Sequence, residues 1–280
     1  MSLFSIVRKR NGTISWTKDQ VRYIVNKYTE ENQSIKQLST DFGCSSQAIR
    51  AVLRKQDIPL KGNTNGYPRN SLYFYDINSA DKAYWLGFLY ADGCVLEKRN
   101  EISCSQKSKE HLIKLQQAIG AINHKIVTVK DNRFSEECIY YCFAIKDKQL
   151  HQDLIKWGCV PNKSLILSKI PNIPREYVSH FLRGYFDGDG SLHYLKNTNN
   201  YRISFTCGSK EFLEDIRHEL QKDNLSIRKD LKHNVYQLQI SGRKQVKKIL
   251  DYLYKDSNQN IRLDRKYKLY LDCSEWAHSN

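Results

Sequence analysis

Two stretches of this 280-residue chain repeat each other, and this duplication constrains the fold more than any other feature. The segment ISCSQKSKEHLIKL at 102–115 aligns with ISFTCGSKEFLEDI at 203–216. A second pair, YWLGFLYADGC at 84–94 and FLRGYFDGDGS at 181–191, places small residues four positions apart before an Asp-Gly pair. Each copy is expected to form one structural unit, so the repeat has to be explained before a fold is assigned.

The hydrophobic pattern predicts the same order of elements in each copy. A helix ends at Asp-Gly, two strands and a helix follow, and two more strands and a helix complete the unit. The later helices are expected at Lys109–Ile119, Lys148–Trp157, Ser209–Lys222 and Arg243–Tyr254. The prediction is an α+β fold of two tandem αββαββα repeats, at 79–174 and 175–280, related by a pseudo-twofold axis.

The predicted strands alternate between apolar and polar side chains, which is typical of a sheet covered by helices on one face. The apolar faces carry Ile139, Tyr141, Phe143 and Ile145 in one strand and Tyr236, Leu238 and Ile240 in its counterpart. Two such sheets side by side predict a long polar saddle whose residue types suit base edges and phosphates. The candidate contacts are Lys98, Lys146, Gln237 and Gln239. Plain solvation of an amphipathic sheet is the alternative.

The N-terminal part, 1–57, reads as three short helices. Thr17 and Ser34 can cap the first two helices, and Gly43 supplies the turn before the third. A short helix, a turn with glycine and a second helix with polar and basic residues are typical of a helix-turn-helix DNA-binding domain. The residues offered to DNA are Ser46, Gln47, Arg50 and Arg54. A small helical bundle with a solvated basic face is the alternative. Residues 58–78, rich in Gly, Pro and Asn, are predicted to form a linker.

The net charge of +15 favours a polyanionic partner, either nucleic acid or an anionic membrane surface. No apolar run approaches the roughly 20 residues that span a bilayer, and the N-terminus does not resemble a secretion signal. We therefore expect an intracellular, non-secreted protein, cytoplasmic or organellar according to its host. Eight cysteines without a C-x2-C pair argue against structural zinc and are expected to be reduced thiols.

The doubled motif predicts a metal site. Residues four apart lie on one face of a helix, so Gly87 and Ala91, and likewise Gly184 and Gly188, allow two helices to pack closely. Asp92 and Asp189 would then meet where both helix dipoles are negative, which is a position that a bound Mg2+ stabilises. Such a metal can activate water for phosphodiester cleavage. For either motif alone, an ordinary turn is the alternative.

The stretches WLGFLYADG and LRGYFDGDG resemble the paired motifs of LAGLIDADG homing endonucleases of the single-chain, two-motif type. The resemblance extends over roughly 79–272, and the N-terminal helices look like an appended module of some members. It implies a monomer that makes a double-strand cut across the minor groove of a long DNA site, with Mg2+ or another divalent cation.

The resemblance also implies roles for individual residues. Asp92 and Asp189 match the metal ligands, assisted by the backbone carbonyls of Ala91 and Gly188. Gln106 falls where a polar residue occurs near the metals, and its partner by repeat alignment is Cys207, so unequal cleavage of the two strands is expected. Lys163 and Lys266 look like the basic residues that order water or stabilise charge, although Arg265 competes for the second position. Asp187 fills the first acidic position of its motif, where the first copy has Tyr90.

Other functions remain open at this level. Some proteins of this family are RNA maturases that assist intron splicing, and others are DNA-binding regulators whose motifs have lost the acids. Both aspartates are present here, which argues against the regulator and leaves the maturase open. A membrane-surface protein would need a basic amphipathic helix with large exposed apolar residues, and the sequence has none.

Overall fold

The computed structural model of the chain describes residues 6–8, 13–58, 60, 68–96, 99–131, 138–222 and 225–279. The chain divides into two compact units. The first unit comprises Met1–Tyr73 together with Ile119–Asn123, and the second comprises Phe74–Ala118 together with His124–Asn280. Lys98, one of the predicted DNA contacts, lies outside the described residues.

The first unit contains the three helices expected from the sequence. A short antiparallel pair, β1 (Val7–Arg8) and β2 (Ile14–Ser15), precedes α1 (Lys18–Thr29), α2 (Ile35–Asp41) and α3 (Ser46–Lys55). Thr17 and Ser34 each form a capping box with the glutamine three residues later, and Ser45 caps α3. These caps satisfy backbone N–H groups that a helix start otherwise leaves without partners.

The helices of the first unit close around a small apolar core. Its buried side chains include Ile24, Leu38, Phe42, Ile49 and Leu53. The ring of Phe42 also makes edge-to-face contacts with Trp16 and Tyr23, whose ring centroids are 5.4 and 5.9 Å away. Gly43, at a φ of 59°, makes the turn between α2 and α3, which a residue with a side chain adopts only at a cost.

Part of the segment predicted as a linker is packed into the protein. Leu72 and Tyr73 are buried in the first unit, where the side-chain amide of Asn70 donates to the carbonyl of Thr29 at 3.1 Å. Phe74 and Ile77 are buried in the second unit. Apolar residues therefore end the linker before residue 72, because their burial outweighs the turn-forming residues around them.

The second unit contains the two predicted repeats in sequence order. The first repeat runs through α4 (Ala80–Asp92), β3 (Gly93–Leu96), β4 (Glu101–Gln106), α5 (Lys109–Ala118), β5 (Ile126–Asp131), β6 (Cys138–Lys146) and α6 (Lys148–Lys156). The second runs through α7 (Val178–Asp189), β7 (Ser191–Leu195), β8 (Asn200–Cys207), α8 (Lys210–Glu219), β9 (Ile227–Asp230), β10 (Val235–Ser241) and α9 (Arg243–Tyr254). A further helix, α10 (Asp264–Ser279), follows that the sequence analysis did not predict. The fold is α+β with two αββαββα repeats, as predicted.

Each repeat contributes one four-stranded antiparallel sheet with the same topology. The strand orders are β3-β4-β6-β5 and β7-β8-β10-β9. Helix α5 packs on the first sheet, and α8 and α9 pack on the second. The covered faces carry the alternating apolar residues, such as Phe143 and Ile145 in β6 and Leu238 and Ile240 in β10, all of them buried. The opposite face of each sheet is open to solvent at most positions.

Candidate active site at the ends of the paired helices

Helices α4 and α7 pack directly on each other, and their glycines permit the close approach. A Cβ atom on Gly87 would collide with the backbone carbonyl oxygen of Phe181. A Cβ atom on Gly184 would collide with the carbonyl oxygen of Tyr84 and lie 2.7 Å from the backbone nitrogen of Phe88. The two helix backbones therefore touch at these positions, which only glycine allows.

The same close packing brings the two motif ends together. A Cβ atom on Gly188 would collide with the Cβ of Ala91 and lie 3.2 Å from Oδ2 of Asp92. Asp92 and Asp189 are the last residues of α4 and α7, one residue beyond this contact. Both carboxylates thus lie at the C-terminal ends of adjacent helices, where the helix dipoles are negative and unfavourable to an anion.

The electrostatics of the two carboxylates reflect this placement. Burial, followed by repulsion from Asp189, raises the pKa of Asp92 from 3.8 to about 7. Asp189 keeps an open side toward solvent, yet partial removal from water raises its pKa as well. Lys163 and Lys266 act in the opposite direction on both groups. Both carboxylates are thus harder to ionise than in water despite the two lysines, and a divalent cation at this place would favour their charged forms.

Two buried lysines occupy equivalent positions in the two repeats. Lys163 donates from Nζ to the carbonyl of Gly93, directly after α4. Lys266 donates to the carbonyl of Gly190, directly after α7, at 2.5 Å, and to that of Asp187 at 2.9 Å. Burial lowers the pKa of Lys266 to about 8. Each helix end is therefore matched by one ammonium group from the same repeat.

The structure distinguishes Lys266 from its neighbour Arg265. Lys266 is 2% exposed, on the side of α10 that faces the end of α7, whereas Arg265 is exposed to solvent. Because both residues are basic, the sequence alone did not decide which of the two lies at the end of α7.

The third pair of predicted site residues differs between the repeats. Gln106, at the end of β4, donates from Nε2 to Oδ2 of Asp92 at 2.6 Å. Cys207, at the end of β8, is buried, and its thiol contacts the carbonyl of Ser164 at 3.5 Å. One carboxylate is therefore oriented by an amide, while its counterpart has a weakly polar thiol at the equivalent strand position.

Asp187 lies inside the protein rather than at the helix ends that carry Asp92 and Asp189. Its side chain accepts hydrogen bonds from Tyr84 OH at 2.8 Å, Tyr254 OH at 2.5 Å and the backbone N–H of Leu263 at 2.8 Å. Burial raises its pKa, and Lys266 and these donors oppose the shift. Asp187 therefore joins α4, α7, α9 and the segment before α10. In the first repeat, the hydroxyl of Tyr90 donates to the carbonyl of Trp157.

Arg183 is a further buried polar residue that sequence reasoning did not single out. It is 1% exposed and donates to the carbonyls of Leu253 and Ile261, both at 2.8 Å. The sequence did contain a signal for it, because Arg183 is a charged residue in the middle of a largely apolar helix. Its hydrogen bonds tie α7 to the C-terminal end of α9 and to Ile261 in the segment that follows.

The predicted DNA-contacting residues of the first unit lie on α3. Gln47, Arg50 and Arg54 are exposed along one side of the helix, opposite the buried Ile49 and Leu53. Ser46 is partly covered, with its hydroxyl 3.3 Å from that of Ser39. The exposed side of α3 thus offers an amide and two guanidinium groups to solvent.

The predicted contacts on the sheets also lie on the faces opposite the helices. Lys146 is exposed and 3.8 Å from Glu101. Gln239 donates to Gln237 at 2.8 Å, and Gln237 donates to Asp230 at 3.4 Å. The expectation of a polar open face therefore describes the second sheet. On the first sheet the open face is mixed, because the polar residues Glu101, Ser103, Ser105 and Lys146 share it with the exposed apolar residues Leu96 and Val127.

The described residues contain no group of three or more His, Cys, Asp or Glu side chains that could hold a metal ion. The site at the helix pair has two carboxylates. A magnesium ion commonly uses one or two protein carboxylates and completes its shell with water and substrate phosphate oxygens. Two aspartates are therefore sufficient for this kind of ion, whereas they are too few for a structural zinc site.

Comparison with protein families agrees with the resemblance stated from the motifs. Residues 176–254 match the model of the family described as "LAGLIDADG-like domain". The match begins just before α7 and ends with α9, so it covers the second repeat, including Asp187 and Asp189. The second repeat is therefore similar to a LAGLIDADG-like domain, and the first repeat has the same topology and a similar helix-end motif.

Curated relatives share only a segment with this chain. A probable translation initiation factor IF-2 of Methanocaldococcus jannaschii is 26% identical over 203 residues, which is 66% of this chain and 16% of that protein. The probable IF-2 of Thermococcus kodakarensis is 42% identical over 80 residues, 27% of this chain and 7% of that protein. The chain thus spans less than a fifth of either relative, and the matches assign it no role in initiation.

Similar solved structures include proteins of two kinds. The homing endonuclease I-WcaI, bound to its DNA recognition sequence, is 20% identical, with 77% of this chain and 97% of that chain covered and a TM-score of 0.49. Full-length DUF199/WhiA from Thermatoga maritima is 15% identical, with 72% and 64% covered and a TM-score of 0.43. The DNA bound in the first structure is a property of that protein.

None of the helices in the described parts of the chain is both long enough and apolar enough to cross a membrane.

Proposed function

We propose that this chain is a site-specific DNA endonuclease that makes a double-strand cut across the minor groove of a long target site. The cofactor is Mg2+ or another divalent cation, and the protein acts as a monomer. The observation that carries the proposal is the meeting of Asp92 and Asp189 at the ends of two touching helices, both with raised pKa values. Burial disfavours the charged forms of this pair even with Lys163 and Lys266 nearby, and this supports a metal-dependent function.

The residues present fit a hard divalent cation. Asp92 and Asp189 would hold the metal, assisted by the backbone carbonyls of Ala91 and Gly188, which belong to the last helical turns whose carbonyls lack partners within the helix. When bound, a divalent cation lowers the pKa of water and stabilises the oxygens of the reacting phosphodiester. The open side of Asp189 leaves room for the phosphate oxygens of a substrate.

The surrounding side chains support roles in positioning and charge stabilisation. Gln106 donates to Oδ2 of Asp92 and so fixes the orientation of that carboxylate. Lys163 and Lys266 hold ammonium groups beside the two helix ends, where they offset negative charge that develops on the phosphate. Since the pKa of Lys266 is near 8, its charge is present at neutral pH. Its burial strengthens its electrostatic effect on a nearby phosphate.

The expected partner is double-stranded DNA. The net charge of +15 supports a polyanion, because neutralised phosphates release counterions. The open faces of the two sheets would contact bases on either side of the cut. The exposed side of α3, with Gln47, Arg50 and Arg54, would extend recognition in the major groove beside the site. In this account the first unit contributes affinity and specificity, and the second unit carries out the chemistry.

Selection of cleaved sites from a randomised DNA library tests this function. The protein is incubated with the library and Mg2+, and the ends of cut molecules are sequenced, with an EDTA incubation as the control. We expect one enriched sequence, cut at one position on each strand, and no enrichment in EDTA. Binding of structured RNA without any enriched DNA cut would instead support the maturase alternative and contradict this proposal.

A further inference from the structure

The open faces of the two sheets differ in chemistry at equivalent positions. The strand register defines the equivalence, because Ile102 pairs with Ile145 in the first sheet as Ile203 pairs with Ile240 in the second. Six apolar or thiol residues of the first sheet correspond to six polar or charged residues of the second. The pairs are Cys94 with Ser191, Leu96 with His193, Val127 with Arg228, Val129 with Asp230, Cys142 with Gln237, and Ala144 with Gln239.

The apolar positions of the first sheet are accessible. Leu96 is 38% exposed and Val127 is 46% exposed, and Cys94 and Ala144 are also exposed. The register places Ala144 opposite Ser103, which in turn pairs with Cys94, so these side chains form a row across three strands. Val127 pairs with Cys142, which is two residues from Ala144 in β6, and Leu96 lies two residues from Cys94 in β3. A diagonal line of apolar and thiol side chains, interrupted by Ser103, therefore connects the two edge strands, and a partner with apolar groups fits it.

The corresponding face of the second sheet carries hydrogen-bonding groups. Arg202 donates from Nε to the hydroxyl of Ser241 at 3.2 Å, and Gln239 and Gln237 are joined at 2.8 Å. Arg228 is exposed at the outer edge of the same face. Arginine and glutamine are the side chains that pair with guanine and adenine edges in a major groove.

A difference in charge accompanies the difference in polarity. Glu101 in β4 occupies the position that Arg202 occupies in β8, since Glu101 pairs with Lys146 as Arg202 pairs with Ser241. Glu101 and Lys146 lie 3.8 Å apart and partly neutralise each other. The open face of the first sheet therefore has fewer groups available for hydrogen bonds to bases than the face of the second.

We propose that the two sheets read their DNA half-sites by different chemistry, with the first sheet contacting thymine methyl groups. The proposal rests on the proposed function and adds to it the composition of one half-site. The C5-methyl group of thymine is the apolar feature that a base pair presents in the major groove, and small apolar side chains contact it. The first sheet takes a thymine-containing half-site through Leu96, Val127 and Ala144. The second sheet reads its half-site through hydrogen bonds to purines.

DNA is the occupant favoured by the repeat itself. The apolar face is the topological counterpart of the polar face, formed by the same strand order after the equivalent carboxylate-bearing helix. If one open face lies along the DNA, the pseudo-twofold relation places the other along it as well. A self-association surface on one sheet alone would break that relation.

Replacement of thymine by deoxyuridine tests the proposal, because it removes the methyl group and keeps the base pair. The selected target duplex is made with deoxyuridine in one half, then in the other, and affinity is measured in EDTA at fixed salt. We expect a loss of about fourfold for each contacted methyl group in one half and no loss in the other. The double variant Leu96→Ser, Val127→Ser should remove this sensitivity, whereas Gln237→Ala in the second sheet should leave it unchanged.

The outcomes separate this proposal from the proposed function. Binding that is equally sensitive, or equally insensitive, to deoxyuridine in both halves would overturn the thymine contact and leave the endonuclease standing. A selected site without thymine in either half would do the same. A chain that sediments as a dimer, and becomes monomeric in the double variant with no change in deoxyuridine response, would assign the apolar face to self-association. Failure to bind any duplex would overturn both.

Discussion

Replacing Asp92 by asparagine should stabilise the protein in the absence of metal, although it removes a residue proposed to be essential for cutting. In the folded protein the pKa of Asp92 is raised from 3.8 to about 7, first by burial and then by Asp189. Between these values the folded state binds more protons than the unfolded state, so this group's contribution to stability falls as the pH rises. Asparagine has no such charge and can still accept the hydrogen bond from Gln106.

The size of the effect follows from the pKa values. Taken in full, the difference between 3.8 and about 7 corresponds to about 4 kcal/mol at pH 8, because each pH unit is worth 1.36 kcal/mol. Part of the pKa shift of Asp92 is shared with Asp189, and water reaches the site through its open side. We therefore expect Asp92→Asn to raise the free energy of unfolding by about 2 kcal/mol. For a chain of this length that gain raises the melting temperature by about 4 °C. At pH 4 the variant and the unchanged protein should melt within about 1 °C of each other.

Thermal melts at pH 4 and pH 8, with EDTA or with Mg2+, measure this effect. Asp153→Asn is a matched control, because Asp153 lies on α6 rather than at the ends of α4 and α7, is buried, and has a pKa that burial raises to about 6. Both variants should be more stable than the unchanged protein at pH 8 in EDTA. With Mg2+ the advantage of Asp92→Asn should vanish, since the metal stabilises the charged carboxylates, while that of Asp153→Asn should persist.

A loss of stability in Asp92→Asn at pH 8 in EDTA would refute the reasoning, because it would mean that the charged carboxylate is favourable where it lies. An advantage that survives saturating Mg2+ would refute the assignment of Asp92 as a metal ligand.

Three further predictions concern other parts of the molecule. Gly184→Ala should lower the free energy of unfolding in denaturant by about 3 kcal/mol, because its Cβ would push the paired helices apart. This loss is expected although alanine ordinarily favours a helix by about 1 kcal/mol over glycine. An unchanged free energy of unfolding would mean that the helices can separate. Cleavage time courses on a supercoiled target should show nicked intermediates in which one strand is cut preferentially. The reason is that the amide of Gln106 orients Asp92, whereas Cys207 has no amide at the equivalent strand position. Equal nicking of both strands throughout would count against this difference. The double variant Arg50→Ala, Arg54→Ala should shorten the protected DNA footprint at one end and make the salt dependence of DNA binding shallower, without moving the cut. An unchanged footprint would mean that the first unit is a structural appendage.

The repeat allowed most of the fold to be predicted. Alternation of period two and helical spacing are local properties, so they located both sheets and most helices to within a few residues. Helix α10 was missed because it follows the seven elements that the repeat aligns, and at that place the first repeat has only the short helical turn Lys163–Leu165. The predicted linker was too long because the many turn-forming residues outweighed the apolar residues Leu72, Phe74 and Ile77, which are buried in the structure.

The candidate site residues were predicted from two sources. Asp92, Asp189 and Gln106 lie in segments that the repeat aligns, whereas Lys163 and Lys266 were named from the family resemblance. The partners of Asp187 could not be predicted, since Tyr84, Tyr254 and the N–H of Leu263 come from three distant segments. Such contacts depend on tertiary packing, which a single sequence does not encode locally.

The apolar face of the first sheet was missed for a different reason. Alternation identifies the covered face, because large apolar residues recur there at every second position. The opposite face contains Cys94, Cys142 and Ala144, which are small and carry little pattern of their own. Only the strand register places Cys142 beside Val127 and puts Ala144 in one row with Ser103 and Cys94.

Cleavage of the selected duplex by single-aspartate variants tests the central claim most directly. Asp92→Asn, Asp189→Asn and the control Asp153→Asn are compared with the unchanged protein in Mg2+, and binding of the same duplex is measured in parallel in EDTA. The account predicts that each of the first two variants loses most double-strand cutting and still binds the DNA, while the control cuts normally. Full cutting by either Asp92→Asn or Asp189→Asn would contradict it.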